Sequence, residues 1–261
     1  MPKVFGRKIF TRKGLEAETT AYLAQLATLP SAGYINNLNI LIKTLKADGN
    51  WAELDRLWIF ATEIQAHARV SLVNPTSTAI TEVNSPTWTI RQGYTGNGTT
   101  MYLDSNYNPS TQGVKFTQNS ASVFSYYRSN VNSNQYIFGS DDTTTRLGIR
   151  PRVTDLFSTI VNAGVGTNIA NTDSRGLFSA VRTGSVTLEF FKNGITMGTD
   201  SPASNGVSNL NVWALGRNQN GVLNSPASGN LSMLALGSSS MNHPKFYYAI
   251  QNFMLSQGAN V

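Results

Sequence analysis

The spacing of hydrophobic positions changes near residues 74–75, and the predicted secondary structure changes with it. Before that point apolar residues recur every three or four positions, as they do on one face of a helix. This spacing predicts helices over 15–29, 34–45 and 51–61, and a short turn or helix over 64–73. After that point apolar and polar residues alternate and turn signals recur at short intervals, which predicts about ten short strands.

The alternating segments define the predicted strands and their connections. They cover residues 87–90, 101–103, 121–128, 135–138, 146–153, 156–161, 177–182, 186–190, 212–215 and 231–236. Asn193-Gly194 predicts a hairpin, because both central positions of a type I′ turn need positive φ. Pro151 predicts that strand 146–153 lies at a sheet edge or ends there. Pro244 opens a closing helix, and Gly258 follows its end.

These elements predict a mainly β protein, an antiparallel two-sheet sandwich preceded by a small helical segment. The absence of cysteine excludes a disulfide framework, an iron–sulfur centre and a thiolate metal site. The two histidines, His67 and His243, are too few for a three-histidine metal site. The apolar runs are too short to span a bilayer. We therefore expect no cofactor and no membrane contact.

Positive charge is concentrated at the N-terminus. The net charge is +6, and residues 1–14 hold five basic residues and no acid: Lys3, Arg7, Lys8, Arg12 and Lys13. Such an arm can contact phosphates or an acidic protein surface, and the alternative is a solvated terminus. The predicted division is a basic arm over 1–14, a helical anchoring subdomain over 15–74, and a sandwich with a C-terminal helix over 75–261.

Four segments of the sandwich resemble laminin-G-like, concanavalin-type jelly rolls. GYTGNGTTMYLD at 93–104 resembles the entry strand of these domains, and FFKNG at 190–194 resembles their hairpin. VWALGRNQNG at 212–221 resembles the strand before their last loop, and LSMLALG at 231–237 resembles their final strand. The whole of 75–261 is similar to such domains in structural proteins of tailed bacteriophages.

The resemblance implies a non-enzymatic structural protein of the virion, as a head decoration, fibre or tail component. It implies that the protein binds other virion proteins through its arm and helices, and that it forms a homo-oligomer. We do not expect a nucleic-acid partner. The alternative function is a module that recognises glycans of the host surface with loops at one end of the sandwich.

The strand over 146–153 carries the most distinctive charged pattern of the sandwich. Its alternation places Arg146, Arg150 and Arg152 on one face. Guanidinium groups so close together favour nearby anions, so this face is predicted to contact an acidic patch of a neighbouring subunit. The alternative is pairing within the chain, with Asp155 or Asp173.

Two weaker candidate sites involve aromatic and acidic residues. Tyr126, Tyr136 and Trp213 are predicted to stack on sugar rings if the module binds glycans, and the alternative is that they belong to the core. Asp141 and Asp142 are the calcium candidates, because loop carboxylates with neighbouring hydroxyls can supply oxygen ligands. The alternative is an ordinary solvated turn.

The acidic residues do not predict catalysis. A glycosidase needs two carboxylates across a sugar cleft. Glu82, Asp104 and Glu189 each lack an acidic neighbour at the spacing that would place both on one strand face. We therefore predict no catalytic residue and no enzymatic activity.

Overall fold

The computed structural model describes residues 14–261, in which two β-sheets form a sandwich and a layer of helices covers one of them. The helices are α1 (Ala17–Leu23), α2 (Ala32–Ala47), α3 (Gln65–Ala68), α4 (Pro109–Gln112) and α5 (His243–Gln257), with a 3₁₀ turn over Trp51–Glu53. The chain is thus mainly β, with a short helix near its N-terminus and a helix at its C-terminus, as predicted. The predicted partner-binding residues of the arm, Lys3, Arg7, Lys8, Arg12 and Lys13, lie outside the described residues.

The strands divide between two sheets, named here sheet A and sheet B. In chain order they are β1 (Leu54–Ile59), β2 (Thr81–Val83), β3 (Thr87–Thr89), β4 (Gly93–Thr95), β5 (Tyr102–Asp104), β6 (Ala121–Tyr127), β7 (Phe138–Asp141), β8 (Arg146–Val153), β9 (Leu156–Ala163), β10 (Thr167–Ala170), β11 (Gly176–Arg182), β12 (Leu188–Lys192), β13 (Ile195–Asp200), β14 (Trp213–Ala214), β15 (Arg217–Gln219), β16 (Val222–Asn224) and β17 (Asn230–Gly237). Sheet A runs β13-β12-β11-β6-β17-β4-β3, with β1 also paired to β17. Sheet B runs β10-β9-β8-β7-β14-β5-β2, with β15 and its hairpin partner β16 beside β7.

Two hydrophobic layers hold the fold together. Between the sheets, Phe157 of β9 packs edge-on against Phe178 and Phe190 of sheet A, with ring centroids 5.0 and 5.5 Å apart. On the other side of sheet A, the ring centroid of Phe246 of α5 lies 4.3 Å from that of Phe124 of β6. Helices α1, α2 and α5 form one cluster with this side of sheet A. Sheet A is therefore covered on both faces, and the helical layer leaves the outer face of sheet B open.

The helix predicted over 51–61 is wrong. After one 3₁₀ turn the chain forms β1, which pairs antiparallel with β17. Trp58 belongs to the core between the sheets, whereas Leu57 and Ile59 belong to the cluster under the helices. A strand buried on both faces lacks the alternation of apolar and polar residues that marks a half-exposed strand. Its apolar spacing therefore predicts a helix. The segment 15–74 thus supplies a strand of sheet A, and the domain division at 74 stays a prediction.

Several local elements agree with the sequence. Helix α2 covers the predicted helix over 34–45 and extends beyond it, whereas α1 is much shorter than the predicted 15–29. Asn193 and Gly194 connect β12 to β13 with φ of 52° and 72°, which confirms the hairpin. Helix α5 ends at Gly258, whose φ of 68° is left-handed.

Neither alternative predicted from Pro151 is correct: β8 does not lie at a sheet edge, because it lies between β7 and β9, and it does not end at Pro151, because it continues to Val153. Its ladder with β7 ends at Ile149, and its register with β9 shifts between Arg150 and Val153. Pro151 lies in this irregular stretch, where its missing N–H removes no regular ladder bond. Within the described residues, no helix has both the length and the apolar content needed to cross a membrane.

Candidate functional site

The outer face of sheet B contains two glycines on adjacent strands, Gly139 and Gly148, which we call the glycine floor. Phe138 and Leu147 are part of the core between the sheets. Because side chains alternate along a strand, their neighbours Gly139 and Gly148 face outward. These two glycines are directly paired, and Gly139 is also paired with Trp213 of β14.

The two glycines allow larger side chains to lie directly on the backbone. A Cβ at Gly148 would lie 2.8 Å from Cδ1 of Tyr136, and a Cβ at Gly139 would lie 3.1 Å from Cγ of Arg217. Both distances are shorter than ordinary carbon–carbon contacts. Any larger residue at these positions would therefore force Tyr136, Arg217 or the neighbouring backbone to shift.

Tyr136, Asp141, Arg146, Arg150 and Arg217 form what we call the arginine–tyrosine cluster. The guanidinium carbons of Arg217 and Arg150 lie 4.5 and 4.9 Å from the centroid of the Tyr136 ring, within cation–π distance. Arg217 Nη1 lies 3.0 Å from Asp141 Oδ2 and donates to the Tyr136 hydroxyl at 3.2 Å. Arg146 Nε donates to Asp141 Oδ1 at 3.1 Å. One buried carboxylate is therefore shared by two guanidinium groups.

Beside this cluster lies an aromatic pair formed by Tyr102 and Trp213. Their rings are stacked, with centroids 4.1 Å apart and an angle of 25° between the planes. Trp213 is 6% exposed, and Tyr102, which covers it, is partly exposed. The paired positions of Trp213 and Gly139 place the aromatic pair one strand away from the glycine floor.

Several N–H groups on this face have no hydrogen-bond partner within residues 14–261. They are the indole Nε1 of Trp213 and the Nε atoms of Arg150 and Arg217, all inaccessible to solvent. A buried donor without an acceptor costs about 1–3 kcal/mol. The three donors are closed to solvent, so they are a local cost of packing this face rather than groups that a ligand on its surface can contact.

The structure separates Arg152 from the other two predicted arginines, which belong to the arginine–tyrosine cluster. Arg152 forms an ion pair with Asp155 at 2.7 Å, one of the two pairings within the chain that the sequence left open. Asp173 pairs with Arg175 instead, and the Arg175 hydrogen bond lowers the pKa of Asp173 to about 2. A contact of the arginine face with a neighbouring subunit stays a prediction.

Two of the three predicted sugar-stacking aromatics, Tyr136 and Trp213, lie on this face, but both are buried: Tyr136 is 4% exposed beneath two guanidinium groups, and Trp213 is covered by Tyr102. The stacking surface of the face is therefore that of Tyr102. Tyr126 does not lie on this face, and its assignment is corrected. It lies on β6 beneath α5 and is 0% exposed. Its hydroxyl donates to Gln251 and accepts from the backbone N–H of Val261. Its ring therefore has no surface on which a sugar could stack.

The calcium candidates do not fit a cation site in this arrangement. Asp141 faces two guanidinium groups, as described above. Asp142 accepts hydrogen bonds from the backbone N–H groups of Thr144, Thr145 and Asn209. Burial raises the pKa of Asp142 and these bonds lower it, with a net shift downward. Across residues 14–261, no group of three or more His, Asp or Glu side chains is placed to hold a metal ion.

The three isolated acids each accept hydrogen bonds from uncharged groups. Asp104 accepts from Asn211, Glu189 accepts from Thr196, and Glu82 accepts from Gln65 and Tyr94. The lack of catalytic residues and of enzymatic activity stays a prediction.

Arg217, Tyr102 and the two glycines are parts of this face that the sequence patterns did not predict. A signal for the glycines was present, because an isolated glycine inside a strand pattern indicates close approach of another group. Gly148 stands between Leu147 and Ile149, and Gly139 follows Phe138. The pairing that brings Arg217 to them has no such local signal.

Comparison with solved structures identifies the class of fold as a jelly-roll β-sandwich. A scan of protein-family models and a search of curated proteins found no match. A mutant of Trypanosoma rangeli sialidase displaying trans-sialidase activity superposes with a TM-score of 0.52 at 10% identity, over 86% of this chain and 40% of that protein. This likeness establishes the fold alone.

Two further structures are similar over smaller parts of the chain. The CBM40 domain of the Ruminococcus gnavus IT-sialidase has a TM-score of 0.45 at 15% identity, over 65% of this chain and 96% of that domain. NanB, a sialidase of Streptococcus pneumoniae, with Optactamide, has a TM-score of 0.41 at 16% identity, over 52% of this chain and 25% of that protein. The chain thus spans less than half the length of the two whole sialidases.

Proposed function

We propose that the protein is a non-catalytic carbohydrate-binding module whose glycan lies on the outer face of sheet B. The observation that carries this proposal is the aromatic pair of Tyr102 and Trp213 beside the arginine–tyrosine cluster, on the face opposite the helical layer. Aromatic rings offer an apolar surface to the C–H groups of a sugar. The partly exposed guanidinium groups of Arg146 and Arg150 offer donors to its oxygens. Ligand sites commonly combine apolar surface with a few placed polar groups.

The proposed site differs from the one expected from the sequence. The glycan-binding alternative predicted from the sequence placed the glycan at loops on one end of the sandwich. The aromatic pair and Arg146 instead belong to strands of sheet B, namely β5, β14 and β8. Strands hold side chains more rigidly than loops do, which lowers the entropy lost when a ligand binds.

Substitution of Tyr102 tests this proposal. The protein is screened on a glycan array, and the glycans that bind are titrated by calorimetry. Tyr102→Ala should weaken binding about 10-fold, equivalent to about 1.4 kcal/mol of stacking and burial. The matched control is Tyr248→Ala, because Tyr248 is 64% exposed on α5, on the opposite side of the sandwich. Tyr248→Ala should leave the affinity unchanged.

Two results would contradict the proposal. One is an array without bound glycans at high protein concentration. The other is equal affinity of the wild type and Tyr102→Ala, with both proteins folded by circular dichroism.

A structural role in a virion, assembly with other virion proteins and homo-oligomerisation stay predictions, as does a virion location. The fold neighbours give them no support. Their test is imaging of intact particles with a tag at Val261, together with protection of the N-terminal arm from proteolysis. Equal protection of the arm in free and assembled protein would contradict anchoring through it.

A further inference from the structure

The charges of the arginine–tyrosine cluster are not balanced by the protein. Arg146 and Arg217 share one carboxylate, that of Asp141, and Arg150 adds a third guanidinium group over the Tyr136 ring. Arg150 has only neutral partners, because it donates to the side-chain oxygens of Asn134 and Ser158 and lies over Tyr136. The cluster therefore has an excess of positive charge within a small area.

The neighbouring carboxylates are engaged elsewhere. Asp142 accepts from the backbone of its own turn, Asp155 pairs with Arg152, and Asp104 accepts from Asn106 and Asn211. None of these three has a hydrogen bond or an ion pair to the arginines of the cluster among the contacts within residues 14–261.

Arg146 is the arginine best placed to receive an external anion. Its side chain is 34% exposed, and only its Nε is bound, to Asp141. Its two terminal nitrogens donate to no atom of residues 14–261. The Nε contact with a buried carboxylate restricts the guanidinium, and its free edge is the fork that binds a carboxylate or sulfate with two parallel hydrogen bonds.

We propose, on the basis of the glycan-binding function proposed above, that the ligand is an acidic oligosaccharide whose anionic group binds the free edge of Arg146. The anionic group is a carboxylate or a sulfate ester, since the same fork accepts both. Tyr102 on β5 lies three strands from Arg146 on β8, a distance of about 14 Å across the sheet. One ligand that reaches both Tyr102 and Arg146 therefore contains more than one sugar residue.

Matched glycans and a matched pair of variants test this assignment. The probes are oligogalacturonate, its carboxyl-reduced neutral form and a sulfated oligosaccharide, each titrated by calorimetry. The wild type should bind the carboxylated or the sulfated probe at least 10-fold more tightly than the neutral form, and the preferred probe identifies the anionic group. Raising NaCl from 50 to 500 mM should reduce this preference, because salt screens partly exposed charges.

Arg146→Gln should weaken binding of the acidic probe at least 10-fold and lower the preference for the acidic over the neutral probe. Arg146→Lys should restore only part of it, because an ammonium group lacks the fork. Arg152→Gln is the control: it removes a positive charge from the same strand, but one already paired with Asp155. Both variants keep the basic arm, so binding of anions by the arm cannot produce a difference between them.

The outcomes separate this inference from the proposed function. Equal affinity for acidic and neutral probes would overturn the acidic ligand and leave the carbohydrate-binding function intact. Acid-dependent binding that Arg152→Gln weakens as much as Arg146→Gln would overturn the role of Arg146. Failure to bind any glycan, on the array or in solution, would overturn the proposed function itself.

Discussion

Protonation of His243 should destabilise the protein at mildly acidic pH. This histidine is the first residue of α5 and is 3% exposed. The centroid of its ring lies 4.6 Å from that of Phe124 and 4.3 Å from that of Phe191. Its two ring nitrogens are hydrogen-bonded to the hydroxyls of Ser122 and Ser179. Burial lowers its pKa from 6.5 to about 3, so the folded protein holds it neutral. The helix N-terminus further disfavours a positive charge there.

The sign and size of the effect follow from proton linkage. Below pH 6.5 the unfolded chain protonates this histidine and the folded chain does not, so acid favours unfolding. The stabilisation is complete above pH 6.5 and is lost as the pH falls toward 3. Between pH 7.5 and 5.5 the loss is about 1.4 kcal/mol, since protonation with an unfolded pKa of 6.5 raises the ratio of unfolded to folded molecules about 10-fold between these two pH values.

Urea unfolding followed by tryptophan fluorescence at pH 7.5 and 5.5 measures this loss. Burial also lowers the pKa of His67, so the variant His243→Gln is needed to isolate the contribution of His243. The variant should show a pH-dependent loss about 1.4 kcal/mol smaller than that of the wild type. The reasoning is refuted if both proteins lose the same free energy of unfolding between the two pH values.

Three further substitutions test the packing. Gly148→Ala should lower the free energy of unfolding by about 1–3 kcal/mol, because its Cβ would meet Tyr136 and the carbonyl oxygen of Phe138 at 2.8 and 2.9 Å. Urea unfolding measures this loss, and an unchanged midpoint would contradict the close packing of Tyr136 on Gly148. Gly33→Ala in α2 should raise the same free energy by about 0.5–1 kcal/mol, since the nearest atom to its Cβ is 3.9 Å away; a lower melting temperature would contradict it. Asp55→Ala should lower it by about 3 kcal/mol, because the backbone N–H groups of residues 114–116 all donate to this buried carboxylate; a calorimetric loss below about 1 kcal/mol would show that water replaces the carboxylate.

The parts of the fold that the sequence predicted correctly depend on nearby residues. Helix α2 follows from its own apolar spacing, the hairpin at Asn193 from two adjacent residues, and the end of α5 from Gly258. The fold class followed from the many short alternating segments. By contrast, β1 was missed because its burial on both faces comes from the helical layer and the second sheet, which its local pattern does not encode.

The residues of the candidate site divide in the same way, into those that a local pattern predicted and those that only the tertiary structure brings together. Alternation along β8 predicted that Arg146 and Arg150 share a face, and the sequence singled out Tyr136 and Trp213 as possible sugar contacts. It could not show that Arg217, which is 81 positions from Tyr136, would bind the hydroxyl of that tyrosine. Nor could it show that the helices would cover Tyr126 and leave the opposite face of the sandwich open.

The sequence by itself therefore determined the elements with local causes: the helical spacing, the turn residues and the alternation that selects a β-sandwich. Only the tertiary structure decided which strands become neighbours, and so which distant side chains share the glycine floor. The physical reason is that a helix or a hairpin is stabilised by contacts within a few residues, whereas a sheet face is assembled from strands far apart in the chain. The excess positive charge on sheet B arises from that assembly.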